Sequence, residues 1–226
     1  MTRRGTGRRI LMAAGTAVAA IVLVGIVQLR PPAWWPADPS ALASDADAAA
    51  TAGRFGQACV SEIYRVRGDE APWAVLVRED DVNAWLATRF PKWCDHVGVA
   101  RLADVRVRFG DGTVEVATEL PDLPAVASVA FEPEVSGQWL RPNLGAVRVG
   151  RLPVPFLSES AVGAVVEALG DAGDDDLRGI LLPLLRGKGV DCTFELADGR
   201  RVRLRDIEPR DGELRLELET LPRERK

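Results

Sequence analysis

Residues 104–117 read Asp-Val-Arg-Val-Arg-Phe-Gly-Asp-Gly-Thr-Val-Glu-Val-Ala. Val105, Val107 and Phe109 alternate with Arg106 and Arg108, and Val114 and Val116 resume the alternation beyond Asp111-Gly112. Successive side chains on a strand point to opposite faces, and Asp-Gly supplies the positive φ of a tight turn, so the stretch predicts a β-hairpin with one apolar face. Two more such turns follow at Asp198-Gly199 and Asp211-Gly212. Around the last of them Val202 and Leu204 are set to oppose Leu214, Leu216 and Leu218, while Arg201, Arg203, Arg205 and the intervening glutamates face water. A one-sided antiparallel sheet must have its apolar face covered. The expected fold class is therefore α+β: an N-terminal transmembrane helix, then a curved antiparallel sheet packed against a few helices.

The flanking segments supply the cover. Trp73-Ala-Val-Leu-Val77 reads as a short buried strand, and Glu79-Asp80-Asp81 opens a helix in which Asp80 or Asp81 can cap. Val82, Trp85, Leu86 and Phe90 fall on one face of it, and Pro91 is expected to end it. Residues 126–135 read as a strand placed at an edge by Pro133, residues 145–149 as another, and Leu152-Pro-Val-Pro155 as a break. Ser158 is set to cap a helix carrying Val162, Val165, Val166 and Leu169, and a second, shortened by Pro183, carries Leu177, Ile180, Leu181, Leu184 and Leu185.

Residues 10–29 form an uninterrupted run of 20 without charge. At the helical rise they cover roughly 30 Å, the thickness of a bilayer's hydrocarbon core. Arg3, Arg4, Arg8 and Arg9 precede the run and only Arg30 follows directly, so the positive-inside bias places residues 1–9 in the cytoplasm and the remainder outside. Trp34 and Trp35 then fall where an interfacial aromatic belt is expected. A cleaved secretory signal ending at Ala17-Val18-Ala19 is the competing reading, but cleavage there would leave apolar residues 21–26 as a new terminus, which favours a retained anchor. Pro31, Pro32, Pro36 and Pro39 make residues 30–39 a stiff spacer. Residues 40–70 read as an Ala-rich helix capped by Ser40, whose thin stripe of small residues suits a stalk lifting the domain off the bilayer, and residues 71–226 as the α+β domain.

Composition excludes several classes of function. With 47% apolar and 27% charged residues the 226-residue chain can bury a core and is not disordered. Five of the 29 basic residues and none of the 33 acidic ones lie in residues 1–30, so the rest carries a net charge of −9 and is no general nucleic-acid binder. Cys94 and His96 would share a side of an extended segment, yet His96 is the only histidine and no third group completes a nucleophilic or metal site. Asp174, Asp175 and Asp176 lack the alternating ligands of a calcium loop, and Arg186-Gly-Lys-Gly189 lacks the Ser or Thr of a phosphate loop. The arginine ladder Arg200, Arg201, Arg203 and Arg205 could meet lipid head groups, but glutamates on the neighbouring strand offer partners. Three cysteines, Cys59, Cys94 and Cys192, allow one bridge, with Cys94–Cys192 the favoured pairing in an oxidising compartment. No catalytic residue, metal or cofactor is therefore expected.

Three passages taken together resemble a known family. These are Val75-Leu-Val-Arg-Glu-Asp-Asp-Val-Asn83-Ala-Trp-Leu86, the strands around Asp111-Gly112, and Phe131-Glu-Pro-Glu-Val135 leading into Val147-Arg-Val-Gly-Arg-Leu-Pro-Val-Pro155. They resemble the YpmS-like family of single-pass anchored bacterial extracytoplasmic proteins, over residues 73–170 and the anchor topology. The resemblance implies a curved antiparallel sheet wrapped about a helix, related in shape to tubular lipid-binding domains, with no catalytic residue to carry over. The Ala-rich helix at 40–70 and the acidic turn at 174–176 depart from the family pattern.

The expected function is that of a membrane-anchored, non-enzymatic envelope protein. Its apolar groove would hold a lipid or acyl chain against Trp85, Leu86, Val105, Val107, Val114, Val116, Val149 and Val165. The alternative is a module that docks an envelope protein on an edge strand or on the Ala-rich helix. An ordinary filled core lined by the same residues is the competing structural reading.

Overall fold

The alternation around the Asp-Gly turns produces hairpins in all three places. The computed structural model describes residues 29–67, 71–97, 104–120, 125–154 and 188–222. Most of the expected membrane span lies outside these residues, as do the helices expected over 158–169 and 177–185, the acidic run at 174–176, and Val165. The described elements, in chain order, are α1 (Ala41–Ser44), α2 (Ala46–Tyr64), β1 (Trp73–Arg78), α3 (Glu79–Thr88), α4 (Phe90–Val97), β2 (Arg106–Gly110), β3 (Thr113–Glu119), β4 (Val126–Ser136), β5 (Trp139–Val149), β6 (Leu152–Pro153), β7 (Val190–Asp191), β8 (Thr193–Glu195), β9 (Arg201–Arg210) and β10 (Glu213–Leu221). The fold is α+β with antiparallel strand pairing throughout the described residues.

The strands form two sheets where one curved sheet was expected. One has the order β1-β10-β9-β8; the other runs β2-β3-β4-β5-β6, with β7 also on β5. The turn tips tie them together reciprocally: Gly112 N–H donates to the Pro209 carbonyl at 3.0 Å, and Gly212 N–H donates to the Phe109 carbonyl at 3.1 Å. Both glycines sit at positive φ, 70° and 76°, where a side chain would strain the backbone. A bulge between Glu217 and Leu218 shifts the last hairpin, so Leu204 faces Leu218 while Ile207 and Pro209 face Leu216 and Leu214. An extra residue of this kind leaves no mark in a simple alternating pattern.

Pro133 lies on a strand that is interior in the sheet order, but in the part of it that β3 does not reach, so its own position is edge-like. It faces Pro142 on β5, and two prolines cannot exchange N–H···O bonds, so the pair occupies a non-hydrogen-bonded site of the ladder. On the other side, β3 pairing stops at Phe131, leaving the missing Pro133 donor beyond the ladder's end. β1 is likewise one-sided rather than buried, with Leu76 exposed and Val77 inside.

The helices also depart from expectation. Ser40 does not cap a continuous helix: its hydroxyl donates to Asp38, α1 lasts one turn, and Asp45 caps α2 by accepting from Asp47 N–H at 2.8 Å. Nor is α2 a stalk. Ala48 and Ala52 are buried against Ala84 of α3, while Phe55 and Ile63 pack into clusters with both strands and helices, so the small-residue stripe is the seam of a helix pair. The helix expected to end at Pro91 does end before it, at Thr88, but α4 follows at once with Pro91 in its first turn, where a missing N–H costs nothing.

Candidate functional site

Four of the eight residues expected to line an apolar groove are brought together as core. Leu86, Val107, Val114 and Val116 join Val77, Phe109, Leu214 and Leu216 in one packed cluster between the sheets and α3. Trp85 lies against the Ala48–Ala52–Ala84 seam, Val105 is buried just ahead of β2, and Val149 is half-buried opposite Ala127 and Leu152. The four of the first cluster, which would touch a ligand, are packed with other core side chains instead.

The acidic start of α3 has a structural task. Neither Asp80 nor Asp81 caps the helix; instead Glu79 accepts a hydrogen bond from Phe109 N–H at 2.7 Å, and Glu79 N–H donates to the Gly212 carbonyl. One turn later, Asn83 exchanges two hydrogen bonds of 2.9 Å with the backbone of Val107. The open edge of β2 is thus closed by side chains of a helix, which protects it from pairing with another chain.

Between this helix, α2 and the spacer lies an open groove of about 410 Å³, bordered by Asp45, Asp47, Asp80, Trp34, Leu42 and Arg106. Arg106 is 6% exposed, and its Nη2 donates to the Pro39 carbonyl while Nε has no partner. Burial lowers the Arg106 pKa, opposed by the charge of Asp104. Charged and apolar side chains both border the groove, and among the described residues no His, Cys, Asp or Glu side chains group as a metal site.

Trp34 and Trp35 do not extend as a free aromatic belt. Trp35 N–H donates to the Pro32 carbonyl, and this turn folds both indoles onto the outer face of the β2–β6 sheet. Trp35 is 8% exposed, packed against Ala117 and Val126, with Trp34 edge-on at 5.8 Å. Trp34 Nε1 donates to Glu115 Oε2 at 3.1 Å, while Ser128 donates to the other oxygen at 2.8 Å and Arg148 lies 3.5 Å from it. Sequence reading missed this seat; its available signals were Glu115 and Ser128, polar residues repeating on the side of the hairpin assigned to water.

The remaining candidates separate. Cys94 and His96 lie on helix α4, where positions two apart point in different directions: Cys94 is wholly buried and His96 exposed. None of Cys59, Cys94 and Cys192 is disulfide-bonded, and Cys192 Sγ donates to the Leu204 carbonyl at 3.2 Å. The arginine ladder is engaged within the protein. Arg203 Nε donates to Glu219 at 2.6 Å, Arg205 lies 3.5 Å from the same carboxylate, and Arg200 pairs with Asp198 while donating to the Tyr64 and Arg65 carbonyls at the end of α2.

Comparison of the chain with protein-family models, with curated proteins and with solved structures finds no match. No helix among the described residues is long and apolar enough to cross a membrane.

Proposed function

We propose that the chain is a membrane-tethered, extracytoplasmic, non-enzymatic binding module seated directly on the bilayer surface. The observation that carries this reading is the docking of Trp34 and Trp35 onto the outer sheet face. Only a few residues separate that seat from the uncharged run at 10–29, so a spanning helix there would hold the domain close to the head groups instead of on a stalk. The flanking arginines and the YpmS-like resemblance support the same orientation. An acyl chain enclosed by Leu86, Val107, Val114 and Val116 gains no support, since these residues fill a core.

A bacterial host expressing the full chain tests the placement. Carbonate extraction is expected to leave the protein in the membrane pellet, and protease added to intact spheroplasts to digest everything beyond residue 30. Recovery of the intact chain in the cytosol would overturn the reading.

Docking of an envelope protein is the second reading, favoured by the open groove bordered by Asp45, Asp47 and Asp80, which suits a basic segment of a partner. Photo-crosslinking from Thr51 in cells is expected to capture such a partner, with loss of the adduct on Asp47→Lys. An adduct insensitive to that charge reversal would dismiss the groove.

A further inference from the structure

We propose that an arginine-lined groove beside Trp34 binds the phosphate of an anionic phospholipid head group, an inference that rests on the tethered reading above. The groove has a volume of about 300 Å³ and is bordered by Pro32, Trp34, Arg108, Glu115, Arg148 and Arg151. Arg108 on β2 stands directly across from Glu115 on β3, and Arg148 on β5 directly across from Ser128 on β4. Since Ser128 bonds to Glu115, all four rise from one face of the sheet. Gly150, at a φ of 61°, turns the chain out of β5 and presents Arg151 at the same margin.

Among the described residues the charge in this groove is not cancelled internally. Glu115 is the one carboxylate among them that borders it, and its two oxygens are occupied by Trp34, Ser128 and Arg148. Arg108 and Arg151 are exposed and make no hydrogen bond or ion pair among the described residues. A guanidinium presents paired N–H donors that match two oxygens of a phosphate, so the two uncommitted arginines bordering this groove supply it with donors for a phosphate-bearing anion.

Position selects the occupant. Pro32 and Trp34 are both wall of the groove and continuation of the apolar run, whose last residue is Leu29. Three residues of extended chain reach at most about 11 Å, so a span ending at Leu29 brings the groove to head-group depth. Arg30, exposed, lies between them. The rest of the protein beyond residue 30 is acidic, so an anionic surface repels it and attracts this patch, which gives the domain one orientation on the membrane.

The test titrates the full chain, in a zwitterionic detergent, with dihexanoyl phosphatidylglycerol, dihexanoyl phosphatidylcholine and inorganic phosphate by calorimetry. Saturable binding of the glycerol lipid is expected, with the choline lipid and free phosphate at least about tenfold weaker. The Arg108→Gln/Arg151→Gln variant is expected to lose affinity on the order of 20-fold, about fivefold for each arginine near an anionic surface. Each single variant changes one exposed side chain and is expected to lose its share, so misfolding of the double variant cannot carry the result. Equal affinity for the two lipids, phosphate alone matching the lipid, or unchanged affinity in the variants overturns the proposal. Carbonate extraction of the same proteins separates the two ideas. A chain retained in the membrane without lipid preference defeats the head-group site alone, and a chain released from it with the preference intact defeats the tether alone.

Discussion

The carboxamide of Asn83 makes both hydrogen bonds that a neighbouring strand would make to Val107, with Nδ2 donating to the carbonyl and Oδ1 accepting from the N–H, each at 2.9 Å. A side chain on α3 thereby substitutes for a strand at the edge of the sheet. Asn83→Ala leaves a buried residue's backbone N–H and C=O without partners and is expected to cost about 2–3 kcal/mol. Asn83→Asp cannot donate and loses the bond to the carbonyl. Urea unfolding measures the cost, and faster hydrogen exchange at the Val107 amide in the Ala variant distinguishes edge opening from a general loss of packing.

The Ala48–Ala52–Ala84 seam sets the distance between α2 and α3. Ala52→Leu inserts a branched side chain at a position 2% exposed and is expected to destabilise by about 1–3 kcal/mol through overpacking. Ala49→Leu, on the exposed side of the same helix, is expected to fall within about 0.5 kcal/mol of the parent. Thermal unfolding of the pair makes the comparison; equal effects would mean that α2 does not pack where described.

Trp35→Ala removes the largest buried side chain of the spacer seat and is expected to cost about 3 kcal/mol. Trp34→Phe deletes the Nε1–H bond to Glu115 together with part of the indole's packing on Trp35, and is expected to cost about 1–2 kcal/mol. Limited proteolysis adds a local reading: Trp35→Ala should expose residues 31–40 to cleavage before the remainder of the chain, whereas Trp34→Phe should not.

The Cys192 thiol has its pKa raised chiefly by burial, against an opposing backbone hydrogen bond. A raised folded value favours the protonated thiol, so this contribution is fully present below the unfolded value of about 8.5 and is lost as pH rises through the folded one. Cys59 shifts in the same direction, through burial and the charge of Asp81. Urea midpoints are therefore expected to fall on the alkaline side of that value, and Cys192→Ala should flatten the decline without removing it, because Cys59 remains.

The hairpins were legible because Asp111-Gly112, Asp198-Gly199 and Asp211-Gly212 each combine a positive-φ residue with flanking alternation, a purely local signal. The helical nature of residues 79–88 was legible for a similar reason, but the task of its acids was not: Glu79 and Asn83 bond to Phe109 and Val107, more than twenty residues away. The division into two sheets escaped because it depends on which distant strands pair, β1 at residues 73–78 with β10 at 213–218, and local alternation carries no partner. For the candidate groove, alternation correctly named Val107, Val114 and Val116 as inward-facing. Whether an inward face is filled depends on Phe55, Leu86 and Leu214 arriving from other elements, which no single-strand pattern contains. Trp34 and Trp35 were read from their distance to the apolar run, while their location is set by Ala117, Val126 and Glu115.

Among the described residues strand β1 has β10 as its only neighbour in its sheet, with Trp73 opposite Leu218. The first described strand is thus completed by one far along the chain. Everything between residues 73 and 218 must have emerged before that ladder can close, which makes its folding late and slow relative to translation of this stretch. A stop codon shortly before position 213 strands β1 without its ladder, so its damage matches that of a much earlier truncation.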